Sequence, residues 1–141
     1  DEYNIGIYSK DYTEDFRFPP EVIVKPETAE QISEIIKLAN KENIPVYPRG
    51  GGTGLSGGAL PVFGGICLSM ERFNKILELD EVNFQAVVQP GVITEVFQIE
   101  CESKNMYYPP DPASRGNLTL QAEEVALSEE TLLSVPKDLV L

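Results

Sequence analysis

The chain has 141 residues, 42% of them hydrophobic and 24% charged, which is ordinary globular composition and enough for one domain or one and a half small ones. With 23 Asp and Glu against 11 Lys and Arg, the net charge of −12 argues against nucleic acid or an anionic membrane surface as a partner. No long apolar run reads as a membrane span and no leader pattern is present; the first residue, Asp1, suggests a piece of something longer.

Residues 1–20 read as irregular, rich in Tyr, Asp and Glu and closed by Pro19-Pro20. Glu21-Val22-Ile23-Val24-Lys25 alternates as a strand, and Pro26 ends it. Thr28-Ala29-Glu30-Gln31 is a capping box with Thr28 as the N-cap. Ile32, Ile35, Ile36 and Ala39 then recur at helical spacing, and Asn43 is the expected stop. A second strand begins at Pro45-Val46-Tyr47-Pro48, so the three elements form a β-α-β unit with parallel strands and a right-handed crossover.

At the carboxyl end of that second strand stands Pro48-Arg49-Gly50-Gly51-Gly52-Thr53-Gly54-Leu55-Ser56-Gly57-Gly58. Six of the eleven glycines fall between positions 50 and 58. Such a run can turn successive backbone N–H groups toward one point and hold an anion. A flexible linker is the bland alternative, but linkers of that kind lack an anchored strand before them. Between Glu42 and Glu71 there is no carboxylate and Arg49 is the only charge, as a diphosphate site in an acidic protein requires. Residues 52–57 fit the dinucleotide pattern G-x-G-x-x-G. The glycines and prolines that follow forbid the helix that motif needs, so a Rossmann site is rejected. A Walker loop is excluded as well, because no Gly-Lys-Ser/Thr closes the run.

Gly65-Ile66-Cys67-Leu68-Ser69-Met70 reads as a buried strand, and residues 71–75 as a turn of helix. Residues 76–80 and 83–89 alternate as an antiparallel pair around an acidic turn. Thr94 is expected to cap a helix to about residue 104, with Ile93, Val96, Phe97 and Cys101 on its apolar face. Pro109, Pro110 and Pro112 then fix an extended path through Tyr107-Tyr108 to Asp111, Ser114, Arg115, Gly116, Asn117 and Thr119, polar groups suited to docking a cofactor. Cys67 and Cys101 match no metal spacing, and there is no histidine; both cysteines read as reduced core residues of a cytoplasmic protein.

Several motifs occurring in order (Phe18-Pro19-Pro20-Glu21, Pro26-Glu27-Thr28, the glycine run, Gln89-Pro90-Gly91-Val92, Tyr108-Pro109-Pro110-Asp111-Pro112 and Gly116-Asn117) closely resemble the FAD-linked oxidases of the vanillyl-alcohol oxidase type. Within them the chain looks most like the glycolate oxidase large subunit and D-lactate dehydrogenase, over residues 3–120. The resemblance implies an α+β, two-lobed FAD-binding domain with a parallel β-α-β lobe over 1–80 and the start of an incomplete antiparallel sheet with helices over 81–120. FAD lies between the lobes. The pyrophosphate loop maps onto Pro48, Arg49, Gly50, Gly51, Gly52, Thr53, Gly54, Leu55, Ser56 and Gly57. The second wall maps onto Pro110, Asp111, Ser114, Gly116, Asn117 and Thr119. Relatives with covalent FAD carry a histidine where Thr53 stands, so FAD is expected to bind noncovalently.

The parent activity so implied is a flavin-dependent dehydrogenase or oxidase of a 2-hydroxy acid, passing electrons to an acceptor. A reductase of cell-wall precursor synthesis, which shares the flavin lobe, is a weaker alternative. No residue here reads as catalytic or metal-binding, and the chain alone is expected to be inactive. Residues 121–141 depart from the family pattern, with Ser128 a candidate cap for a short helix ended by Val135-Pro136. The competing reading is a cofactor-free fragment or interaction module. Open strand edges in an incomplete sheet favour a homodimer in either case.

Overall fold

The computed structural model describes residues 2–13, 15–111, 113, 115–117, 119 and 130–132. The chain divides into two compact units, Asp1–Phe73 and Asn74–Leu141.

The first unit opens with a short helix, α1 (Glu2–Tyr8), where the sequence pattern reads as irregular. Seven residues containing Gly6 carry no capping signature, and α1 packs on strand β1 (Val22–Val24) instead of standing on propensity. Helix α2 (Ala29–Glu42) is built as its sequence dictates. The Thr28 hydroxyl accepts the Gln31 N–H at 3.3 Å, and the Gln31 side chain accepts the Glu27 N–H at 2.8 Å, closing the cap in both directions. At the other end Asn43 takes the left-handed conformation, φ 54°, and stops the helix.

Strands β2 (Val46–Arg49) and β3 (Ile66–Ser69) complete a parallel sheet of order β1-β3-β2. The two strands of the β-α-β unit are therefore parallel but not adjacent, because β3 inserts between them. All four residues of β3 are buried, Ile66, Cys67 and Leu68 as a short apolar run and Ser69 as a buried polar residue at its end. A Cβ on Gly65, at φ +82°, would strike the Pro45 carbonyl, and that carbonyl accepts the Ile66 N–H at 2.9 Å. Residues 71–75 form a turn closed by Phe73 N–H to the Met70 carbonyl at 2.8 Å, not a helical turn.

The second unit holds β4 (Ile76–Asp80) and β5 (Gln85–Val88), antiparallel as expected, with a register shift between Ile76 and Glu78. Asp80 accepts the backbone N–H groups of Val82 and Asn83 and shapes the turn between the strands. Because β4 pairs with β5, residues 76–80 group with the second unit and not with the β-α-β lobe.

Helix α3 (Thr94–Ser103) begins after Ile93, which gives no side-chain cap. Thr94 is thus not the cap but the first helical residue, buried with its hydroxyl unpartnered. The buried stripe runs through Thr94, Phe97 and Cys101, and Val96 is 53% exposed, so the inward face is rotated from the one read off the sequence. Phe97 meets Tyr108 edge to face at 5.0 Å in a core that includes Ala86, Val92, Cys101 and Met106. Residues 130–132, placed by the sequence reading within a short helix, form β6 (Glu130–Leu132) on the far side of β5, giving the order β4-β5-β6. The expected cap Ser128 and the stop at Val135-Pro136 lie outside the described residues.

Candidate functional site

A parallel connection needs a crossover of a dozen or more residues, usually a helix. Between β2 and β3 that crossover is residues 50–65, with no helix in it. The glycine run fills its first half and leaves the sheet at the carboxyl ends of its strands, where ligands of α/β sheets gather.

Arg49 ends β2 and turns inward. Its side chain is 6% exposed, Nη2 donates to the Lys10 carbonyl at 2.9 Å, and Cζ lies 5.4 Å from the centre of the Tyr8 ring. Gly52, at φ +69°, closes over the guanidinium, and a Cβ there would overlap it. Thr53 is 7% exposed and its hydroxyl has no protein partner; Arg49 Nη1 is likewise buried without one. Three loop carbonyls are engaged by the protein: Arg49 by Met70 N–H at 2.9 Å, Gly54 by Tyr12 N–H at 3.1 Å, Gly57 by Leu60 N–H at 3.0 Å. Gly51, Gly54, Leu55 and Ser56 are exposed, while Gly50 and Gly57 are half-buried and Pro48 is exposed on the strand. The loop thus has a protein-facing underside and an open side.

Beside the loop, Lys25 pairs with Glu71, whose other oxygen accepts the Tyr8 hydroxyl at 2.7 Å. Burial opposes the Glu71 charge, but the Lys25 ammonium and the Tyr8 hydroxyl outweigh it together and hold the carboxyl below its ordinary value. The first carboxylate after the glycine run is therefore held by a cation. Arg72 is paired in turn with Glu27 at 3.0 Å. A hollow of about 470 Å³ in this unit is lined by Tyr8, Val22, Lys25 and Arg72 among others, and no loop residue takes part in it.

The second group of expected site residues gathers at the start of α3. The Arg115 carbonyl accepts the Glu95 N–H at 3.2 Å, and Thr119, buried, bridges Ile93. Asp111 is held by Arg115 at 2.5 Å, and the Pro110 carbonyl accepts the Gln98 side chain at 2.6 Å. Gly116 lies close to the Glu95 carboxylate and Asn117 is exposed; Ser114 lies outside the described residues. A hollow of about 240 Å³ here presents Glu95, Glu102 and Asp111 against the single cation Arg115. Three carboxylates to one guanidinium do not suit a phosphate. Among the described residues no cluster of carboxylates or thiols is arranged to hold a metal ion.

Residues 20–122 match the family model described as FAD binding domain. The chain belongs to this FAD-binding family. It is 42% identical over 116 residues to glycolate oxidase subunit GlcD of Bacillus subtilis (strain 168), a match covering 81% of this chain and 25% of that protein. It is 40% identical over 96 residues to D-lactate dehydrogenase of Anaerostipes hadrus, covering 68% and 20%. Its fold superposes on p-cresol methylhydroxylase with substrate bound at a TM-score of 0.69 and 25% identity, covering 82% of this chain and 24% of that one. The chain thus spans about a quarter of the length of the curated relatives it matches. The α+β reading and FAD as cofactor both stand on these likenesses.

The glycine loop fits that cofactor on its own geometry. Gly52 and Thr53 offer an underside that only glycine can close and a buried hydroxyl without a protein partner. No carboxylate lies in the run between Glu42 and Glu71. What sequence reasoning missed is the role of Tyr8, Lys10 and Tyr12. Their signal was faint, since an irregular acidic segment shows nothing of the carbonyl and N–H groups it presents.

Proposed function

We propose that this chain is the FAD-holding portion of a flavin-dependent oxidoreductase acting on a 2-hydroxy acid such as D-lactate or glycolate. The observation that carries the reading is the loop at 49–57, where Gly52 closes over Arg49 and Thr53 keeps a buried hydroxyl without a protein partner. In this reading the pyrophosphate lies against backbone N–H groups of residues 50–56 and the Thr53 hydroxyl, each charge-assisted bond contributing roughly 1.5–3 kcal/mol. Pro110, Asp111, Ser114, Gly116, Asn117 and Thr119 are the second group of residues proposed to contact the cofactor. Bound FAD supplies the redox chemistry, while the chain binds and orients it.

Noncovalent attachment within this stretch is supported by Thr53 at its place in the loop and by the burial of the Cys67 and Cys101 thiols. The substrate class is supported by the relatives' own names. Two free, buried cysteines support a reducing, cytoplasmic setting. Strand β4 is a sheet edge that exposes Leu77, which supports a dimer formed along it.

The test is to purify the chain, load it with FAD and follow flavin absorbance on adding D-lactate or glycolate. A yellow protein whose flavin is not bleached by either acid is expected. A colourless protein that takes up no FAD supports the cofactor-free module, and bleaching at catalytic rates contradicts the inactivity of the isolated chain.

A further inference from the structure

The family match begins at residue 20, yet residues 8–12 are tied directly to the glycine loop. Arg49 Nη2 holds the Lys10 carbonyl at 2.9 Å, and the Tyr12 N–H holds the Gly54 carbonyl at 3.1 Å. These two bonds bracket Gly52, which rests on the same guanidinium that lies over the Tyr8 ring. The segment is in turn fastened to itself, with Phe18 N–H on the Ser9 carbonyl at 2.8 Å and Thr13 N–H on the Asp11 carboxylate at 2.9 Å.

We propose that residues 8–12 are a clamp on the FAD loop, with Arg49 as its positioning residue. The inference rests on the loop being the FAD site. Arg49, the one charge in the run, suits a direct partner of the diphosphate on sequence alone. Its burial beneath Gly52 assigns it instead to the underside of the loop. Ordering a glycine run costs more conformational entropy than ordering any other residue type. A clamp that fixes the run in advance removes that cost from the binding step. Linkage then requires that FAD tighten the clamp by the same factor by which the clamp tightens FAD.

Amide hydrogen exchange reads the clamp with or without cofactor. The reporter is the Tyr12 N–H, and the control is the Ile44 N–H, which is bonded to the Ala39 carbonyl at the end of α2. In the cofactor-free chain, Arg49→Met is expected to speed Tyr12 exchange about tenfold or more, the loss of one charge-assisted bond, with Ile44 unchanged. Arg49→Lys keeps the charge but loses the fork, and is expected not to restore protection. In the unmodified chain, saturating FAD is expected to slow Tyr12 exchange and leave Ile44 alone. Tyr12 exchange that is unmoved in both variants, or unmoved by bound FAD, overturns the clamp, as does full restoration by lysine. Should the variants not fold, the FAD arm on the unmodified chain decides. Should the unmodified chain bind no FAD, the site reading fails, and the variants still judge the contact between segment and loop.

Discussion

Gly52 lies against the guanidinium of Arg49 so closely that a Cβ would occupy the space of the guanidinium group. The backbone adds a second demand, since φ +69° is a conformation that side chains disfavour. Gly52→Ala is therefore expected to destabilise the fold by about 1–3 kcal/mol and to weaken FAD binding. Part of that cost is the collision with Arg49. A double-mutant cycle with Arg49→Met, followed by urea unfolding, is expected to give a double variant less damaged than the sum of the singles. Strict additivity contradicts the contact.

Gly65 separates stability from binding. A Cβ there strikes the Pro45 carbonyl before the amino ends of β2 and β3, the opposite end of these strands from the one where the glycine run leaves β2. Gly65→Ala is expected to cost about 1–3 kcal/mol in a denaturant titration. At temperatures where the variant is still folded, its FAD affinity is expected to match that of the unmodified chain.

The Lys25–Glu71 pair gives a pH signature. Glu71 is held below its ordinary 4.5, so its contribution is present above that value and is lost as pH falls through the lowered one. Lys25, raised above 10.5 chiefly by the bond to Glu71, loses its contribution as pH rises through its own raised value. Both side chains are a third or more exposed, so the effect is small, about 0.5 kcal/mol after screening. Glu71→Gln is expected to lower the urea midpoint slightly at pH 7, and the gap is expected to shrink as pH falls below 4.5. A gap that does not change with falling pH contradicts the assignment.

The two thiols should be silent in the folded chain. Burial pushes Cys101 up to about 11, and burial also raises Cys67 above its ordinary 9.0. Alkylation at pH 8 is expected to label neither until denaturant unfolds the chain, and then both together. Rapid labelling of either in the native protein contradicts the packing around β3 or α3.

What the sequence showed well was local. Thr28, Gln31 and Asn43 bracket α2 because their side chains and backbone do the capping themselves, and β3 is plain because burial on both faces leaves Ile66, Cys67 and Leu68 consecutive and apolar. What it hid was set by distant partners. Nothing near β1 or β2 announces that β3 lies between them. Thr94, a good cap by type, is buried as the first helical residue while Val96 faces outward, because packing against the core rotates α3. Arg49 is the sharpest case. Its type and its isolation among glycines point to a ligand contact, and only Tyr8 and the Lys10 carbonyl, some forty residues earlier, explain why it turns inward.

We propose that residues 50–56 hold FAD through their own backbone, on an underside that tolerates no side chain at Gly52. Titration of the chain with FAD, followed by flavin fluorescence and run beside Gly52→Val, tests it most directly. Saturable quenching at one FAD per chain, abolished in a variant that remains folded, is the predicted result. No saturation in the unmodified chain, or equal binding by a folded Gly52→Val, contradicts it.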